Sequence, residues 1–248
     1  SHDVHLTLDA SLNETAFAAL NGHKGVVAVY DYTTGDIKCL VSSPSYDPNN
    51  PPSDVNENSA YEGVYLNRFF SSTYPPGSVF KIITTAAAIE EKDDLDQFRY
   101  TCTGSLEVGG DVITCPYAHG ADMDINQCLA CSCNGAYATL AMELGGSTLA
   151  KYVEQAGLLD SLNVNGISTA AGSFVAEEDG SAYLGWSGVG QDKDLVNPCS
   201  LLAFMGSIAN EGEAVVPNLV GSETIGGTSL PAALPDGKDT YETYSAET

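Results

Sequence analysis

The strongest limit on what this chain can fold into is how little β-sheet it spells out. Residues 24–48, KGVVAVYDYTTGDIKCLVSSPSYDP, give the clearest hairpin: apolar runs at 26–30 and 37–41 flank the turn residues Thr34, Gly35 and Asp36. An alternating strand opens the chain at VHLTL, followed by a helix that Asp9 or Ser11 can cap and Gly22 can end. Further on, TCTGSLEVGGDVITC (101–115) reads as a Gly-rich, hairpin-like segment. Two or three strands do not make an independently stable sheet. Helical patterns fill most of the rest, so the expected class is α+β, a helical lobe beside an antiparallel sheet left incomplete by these residues. The expected organisation is a sheet-forming start at about 1–46, a polar Pro- and Asn-rich loop at 47–60, and a helical lobe at about 60–212. A tail, 213–248, follows, and its weak apolar pattern predicts no strand.

Within the helical part, YPPGSVFKIITTAAAIEE (74–91) has the sharpest boundary. Pro75, Pro76 and Gly77 stop what precedes, and neither Pro nor Gly recurs before Glu91, which predicts a helix opening at Ser78. Ser78 and Lys81 are three apart and share a face. One reading makes Ser78 an N-cap and lets Lys81 reach to water. The chemical reading has Lys81, partly desolvated at the positive end of the helix dipole, take the Ser78 proton and make that hydroxyl a nucleophile. The Ser78 backbone N–H would then help hold an oxyanion. Two further helices, 125–130 and 136–144, are expected to meet at Ser132-Cys133-Asn134. Another follows at 147–157, and an apolar one lies within 196–212 with Pro198 near its first turn.

Composition excludes some functions. Thirty-three acidic against nine basic residues give a net charge of −24, so no basic patch can be assembled for nucleic acid or an anionic membrane. No run of 18 apolar residues spans a bilayer and no leader opens the chain, while Ser1-His2 reads as the remnant of an expression tag. The seven cysteines are too few and too spread for a small secreted disulfide scaffold. Cys128, Cys131 and Cys133 invite a metal reading, but they fall in a helix and its end, with His119 the only nearby imidazole. No metal and no cofactor are therefore expected. Cys102 and Cys115 flank the Gly-rich hairpin, where a disulfide would bridge its arms in an oxidising compartment.

Taken together, these segments resemble the transpeptidase domain of penicillin-binding proteins. The hairpin with its Ser-Tyr-Asp-Pro exit looks like that family's first strand pair, and NRFFSSTYPPGSVFK resembles the segment carrying its nucleophile. TCTG, ITC, HG and then Ser-Cys-Asn ahead of a helix keep the family's order. YLGWSGVGQDKDLVNPCSLLAFMGSIANEG is similar to its later Gly-Gln segment and the helix after it. The resemblance implies that Ser78 is acylated, that Lys81 is its base, and that Ser132 relays a proton to the leaving group. Asn134, Gly190 and Gln191 would bind substrate, the D-alanyl-D-alanine end of a peptidoglycan stem peptide. β-Lactams would trap Ser78, and cell-wall synthesis proteins are the implied partners. The implied location is the extracytoplasmic face of a bacterial membrane, with an anchor outside this chain. The family's Lys-Thr-Gly or Lys-Ser-Gly motif is absent: Lys24, Lys38 and Lys238 precede Gly25, Cys39 and Asp239. That absence reads as truncation and implies an impaired site. A serine β-lactamase, or a non-catalytic β-lactam sensor or scaffold, is the alternative.

Overall fold

Asp9 opens the first helix, Ala10–Leu20, its carboxylate accepting the Leu12 amide at 2.8 Å. Asn21 and Gly22, both at positive φ, end it. The computed structural model describes residues 2–231 and 239–248; Ser1 of the expected tag remnant and tail residues 232–238 lie outside the described residues. Compactness divides the chain into two units that are not sequential. The first draws on 1–73, 161–171 and 197–243, and the second on 74–160, 172–196 and 244–248. The helix Pro198–Ala209 thus belongs with the early hairpin and not with the helices that precede it.

In the first unit, Gly25–Tyr30 pairs antiparallel with Ile37–Ser43, Val27 facing Val41 and Val29 facing Cys39. Ile37 packs in a core with Phe69, Phe70 and Cys199, and Cys39, two residues on along the same strand face, is also fully buried. Gly35 sits at φ +83, and a Cβ there would lie 2.7 Å from the Val216 carbonyl, so this turn needs glycine. The tail departs from the sequence expectation, because it does form strands. Val220–Ile225 pairs with His2–Leu6 on one side and Thr228–Pro231 on the other, and Glu213–Val215 pairs with Thr240–Glu242. Every residue of His2–Leu6 is exposed, and Val220–Ile225 is only partly covered, so nothing selects an apolar alternation there. Asn197, fully buried, ties the unit together: its amide nitrogen donates to the carbonyls of Phe69, Phe70 and Ser72, and its oxygen caps the helix at Cys199 and Ser200.

The second unit is mainly helical. Lys81–Glu91, Asn134–Leu144 and Gly146–Gln155 pack on one another around Ala88, Ala136, Tyr137, Leu140 and Val189. Alanines on the buried faces let the backbones approach closely. Beside the helices, Ser105–Val108 and Asp111–Thr114 form the expected Gly-rich hairpin. Tyr100–Cys102 pairs with Gly120–Met123. Among the described residues, no helix is long and apolar enough to cross a membrane.

Candidate active site

Gly77, at φ +59, turns the chain into a short 3-10 segment, Gly77–Phe80, and the α-helix proper starts one residue later as Lys81–Glu91. Ser78 therefore lies in the opening turn, as expected, but it does not cap: neither segment has a side-chain cap bond. Its Oγ instead lies 3.2 Å from Lys81 Nζ and 3.0 Å from Ser132 Oγ. Lys81 is fully buried. Its ammonium donates to Ser132 Oγ at 2.8 Å, the Ser132 carbonyl at 2.8 Å and Asn134 Oδ1 at 2.9 Å. Burial pulls the Lys81 pKa below the ordinary lysine range, and the neighbouring Cys115, Cys133 and Cys131 sulfurs, when ionised, pull the other way. The Tyr137 ring is 5.6 Å from Nζ and is held by a 2.7 Å contact between its hydroxyl and Thr85 Oγ1.

Four contacts around one amine decide its orientation. Two of them, the Ser132 carbonyl and Asn134 Oδ1, can only accept, so a neutral amine spends two N–H groups there. Its lone pair then faces the two hydroxyls, which is what a base for Ser78 requires. Asn134 is fixed in turn, its Nδ2 donating to the Thr114 carbonyl at 2.8 Å.

Ser132 reaches Lys81 because of how the helix Ile125–Ala130 ends. The Cys133 amide donates to the Cys128 carbonyl and the Ser132 amide to the Leu129 carbonyl, the reciprocal pair of a Schellman turn. The left-handed position of that turn normally carries glycine, yet Ser132 holds φ +54 there. Left-handed backbone costs a non-glycine residue about 1–2 kcal/mol, and such outliers gather at functional sites. Ser132→Gly should therefore stabilise the protein by about 1 kcal/mol, about 2–4 °C in Tm for a chain of this size, while removing the hydroxyl from the constellation. A thermal melt checks this, and a fall in Tm would refute the strain assignment.

The matching family, described as the penicillin binding protein transpeptidase domain, covers residues 25–240. The chain belongs to that family. The peptidoglycan D,D-transpeptidase PbpA of Mycobacterium tuberculosis is 33% identical to it over 214 residues, 80% of this chain and 43% of that protein. This chain thus spans less than half the length of that relative. The crystal structure of penicillin-binding protein A from M. tuberculosis superposes with a TM-score of 0.87 at 25% identity, covering 100% of this chain and 61% of that one. The penicillin G acyl-enzyme complex of the same protein gives 0.82 at 26% identity, with 99% and 60% covered. The fold is accordingly that of the penicillin-binding protein transpeptidases, α+β as expected.

In this transpeptidase domain a cleft of about 380 Å³ opens at Ser78, lined also by Asn134, Tyr183, Trp186, Val189, Gln191 and Asp192. Hollows of about 470 and 600 Å³ elsewhere in the first unit hold no Ser–Lys pair, so size alone would misplace the site. Gln191 lines the cleft. Gly190 instead accepts the Gly77 amide at 2.8 Å, and a Cβ on it would fall 2.0 Å from the Gly77 carbonyl oxygen. Sequence reading missed Tyr183, Trp186, Val189 and Asp192; of these only Asp192, a non-glycine residue at φ +66, carries a backbone mark, and φ is not written in sequence. All seven cysteines are unbridged in this structure, Cys102 and Cys115 included. Cys115 Sγ lies 3.9 Å from Cys133 Sγ, and Cys102 Sγ 3.3 Å from His119 Nδ1.

Proposed function

We propose that this domain is the acylating part of a peptidoglycan D,D-transpeptidase acting through a Ser78 acyl-enzyme. The observation that carries the proposal is the buried Lys81 amine, in simultaneous reach of Ser78 Oγ and Ser132 Oγ. Neutral Lys81 takes the Ser78 proton as Oγ attacks the carbonyl of the penultimate D-alanine. The backbone N–H of Ser78, in the opening turn of its helix, helps hold the oxyanion. The proton passes through Ser132 to the departing D-alanine amine, leaving the acyl-enzyme. An amine from a neighbouring strand then attacks the ester, gives up its proton by the reverse route and restores Ser78, completing the cross-link. Asn134 and Gln191 bind the peptide, and Gly190 keeps the Gly77 turn beside them. A β-lactam enters by the same attack and stays bound.

The relatives favour this reading over a β-lactamase or a non-catalytic sensor: PbpA of M. tuberculosis is a peptidoglycan D,D-transpeptidase, and penicillin-binding protein A of the same organism forms an acyl-enzyme with penicillin G. The implied setting is the extracytoplasmic face of a bacterial membrane, with stem peptides as substrates and cell-wall synthesis proteins as partners. Fluorescent penicillin should label Ser78, and Ser78→Ala should abolish the label with Tm unchanged. Peptide mapping by mass spectrometry checks the position. A label on Ser132, or one that survives Ser78→Ala, overturns the proposal. The Lys-Thr/Ser-Gly triplet, absent from these 248 residues, supplies substrate-carboxylate binding in the family, so labelling of this chain by itself should be about 10²-fold or more below that of M. tuberculosis PbpA.

A further inference from the structure

Four side chains from four places in the sequence converge beside the Ser132–Asn134 turn. Cys102 ends the strand Tyr100–Cys102, Cys115 follows Asp111–Thr114, His119 precedes Gly120–Met123, and Cys133 joins the two helices flanking the turn. Their ligand atoms all lie within 4.8 Å of one another. Cys102 and Cys133 are buried, while Cys115 and His119 are half-buried. Tetrahedral zinc, with Zn–S of about 2.3 Å and Zn–N of about 2.0 Å, sets sulfurs about 3.8 Å apart and a sulfur about 3.5 Å from a nitrogen. The Cys115–Cys133 separation of 3.9 Å and the Cys102–His119 separation of 3.3 Å lie close to those values, and an inward shift of about 1 Å closes the widest spacing in the cluster.

We propose that Cys102, Cys115, His119 Nδ1 and Cys133 form a structural zinc site, with three sulfurs and one nitrogen closing the tetrahedron. No open position remains for a substrate or a water, which distinguishes a structural from a catalytic site. Backbone N–H groups converge on two of the sulfurs. Backbone N–H groups of His119 and Gly104 are directed at Cys102 sulfur, and that of Ala136 at Cys133 sulfur. The His119 ring is braced edge-on by Tyr117, with centroids 4.7 Å apart. Cys128 and Cys131, the nearest sulfurs in sequence, are not members of the cluster.

The position of the site gives it a consequence. Cys133 lies between Ser132 and Asn134, and Cys115 follows Thr114, whose carbonyl holds Asn134. The ion would lock the Gly-rich hairpin to the turn that aims both side chains at Lys81. Three protons leave with the thiols as the metal binds, so loading falls with acidity.

Elemental analysis of the protein purified under reducing conditions should find about one zinc per chain. Loading with cobalt(II) in place of zinc should give thiolate-to-metal charge-transfer bands and the intense visible absorption of a tetrahedral ion. Cys115→Ser and His119→Ala should each lower metal content by about tenfold or more, whereas Cys131→Ser should leave it unchanged. Chelation of the wild-type protein should lower Tm by about 5 °C or more, a readout that does not depend on any variant folding. Octahedral cobalt spectra, metal-free protein after growth with zinc, metal loss in Cys131→Ser, or a Cys115–Cys133 or Cys102–Cys115 disulfide in the isolated protein would each overturn the proposal. None of these readouts uses acylation, so the test stands apart from that of the transpeptidase reading.

Discussion

Replacing Lys81 with methionine should lower the rate of Ser78 acylation by about 10³-fold or more while leaving thermal stability nearly unchanged. The rate effect follows from the loss of the base, since positioned proton transfer contributes about 10²–10⁴. The stability effect is a near-cancellation. Methionine refills the fully buried stem volume, and removal of the amine ends the cost of keeping a cation out of water. Against this, the Ser132 carbonyl and Asn134 Oδ1 lose their donor, a penalty of about 1–3 kcal/mol for each acceptor that water does not reach. Lys81→Arg separates base from charge: it retains a cation that cannot deprotonate and should be as slow as methionine. The wild-type rate should rise with pH through a Lys81 pKa below the ordinary lysine range, because burial disfavours the ammonium and the neutral amine is the active form. Stopped-flow acylation by a chromogenic cephalosporin measures both variants. Methionine within tenfold of wild type would remove Lys81 from the mechanism.

Ser78 and Lys81 were legible because their relation is local: three residues on one helical face, after a stop of two prolines and a glycine. Ser132 and Asn134 were placed only by the order of segments shared with a family. What makes their turn effective, a serine in the left-handed slot of a Schellman ending, is a tertiary override of local preference, and sequence rules would put glycine there. The zinc cluster has the spacing C-x12-C-x3-H-x13-C, which corresponds to no short metal loop. Each ligand is presented by a different strand end or helix end, so only the fold brings them together.

The tail strands illustrate a different gap. Gly226-Gly227 between Ile225 and Thr228, with both glycines at positive φ, is the two-residue turn that closes a hairpin, and it was present in the sequence. The flanking residues, VGSETI and TSLP, lack alternation because neither face of that ribbon enters a core, and the turn signal was outweighed by the missing apolar pattern. Compactness was also misleading from sequence order. Asn197 gathers the carbonyls of Phe69, Phe70 and Ser72 across more than 120 positions, a contact that no window along the chain can reveal.

The second large effect lies away from the nucleophile, at Asp194. It is 1% exposed, and neither carboxylate oxygen has a hydrogen-bond partner among the described residues. Burial pushes its pKa up to about 8; nearby Ser187 offsets this in part, while Asp192 and Glu177 add to it. The sign follows from proton counts. Between the unfolded value of 3.8 and the folded value of about 8, the unfolded chain has released the Asp194 proton and the folded chain retains it. The folded state binds more protons, so stability present below the unfolded pKa is lost as pH rises, at up to about 1.4 kcal/mol per unit, and the loss ends above the folded pKa. Asp194→Asn keeps the shape and cannot ionise. The difference in unfolding free energy between variant and wild type should therefore grow by about 3 kcal/mol in favour of asparagine from pH 5 to pH 8. Taking the change with pH removes the constant cost of an imperfectly paired amide, which shifts the asparagine curve without bending it. Urea melts of both proteins at four pH values in that range measure it. Parallel stability curves would show that Asp194 is ionised in the folded protein and has a counter-charge or water that burial alone does not reveal.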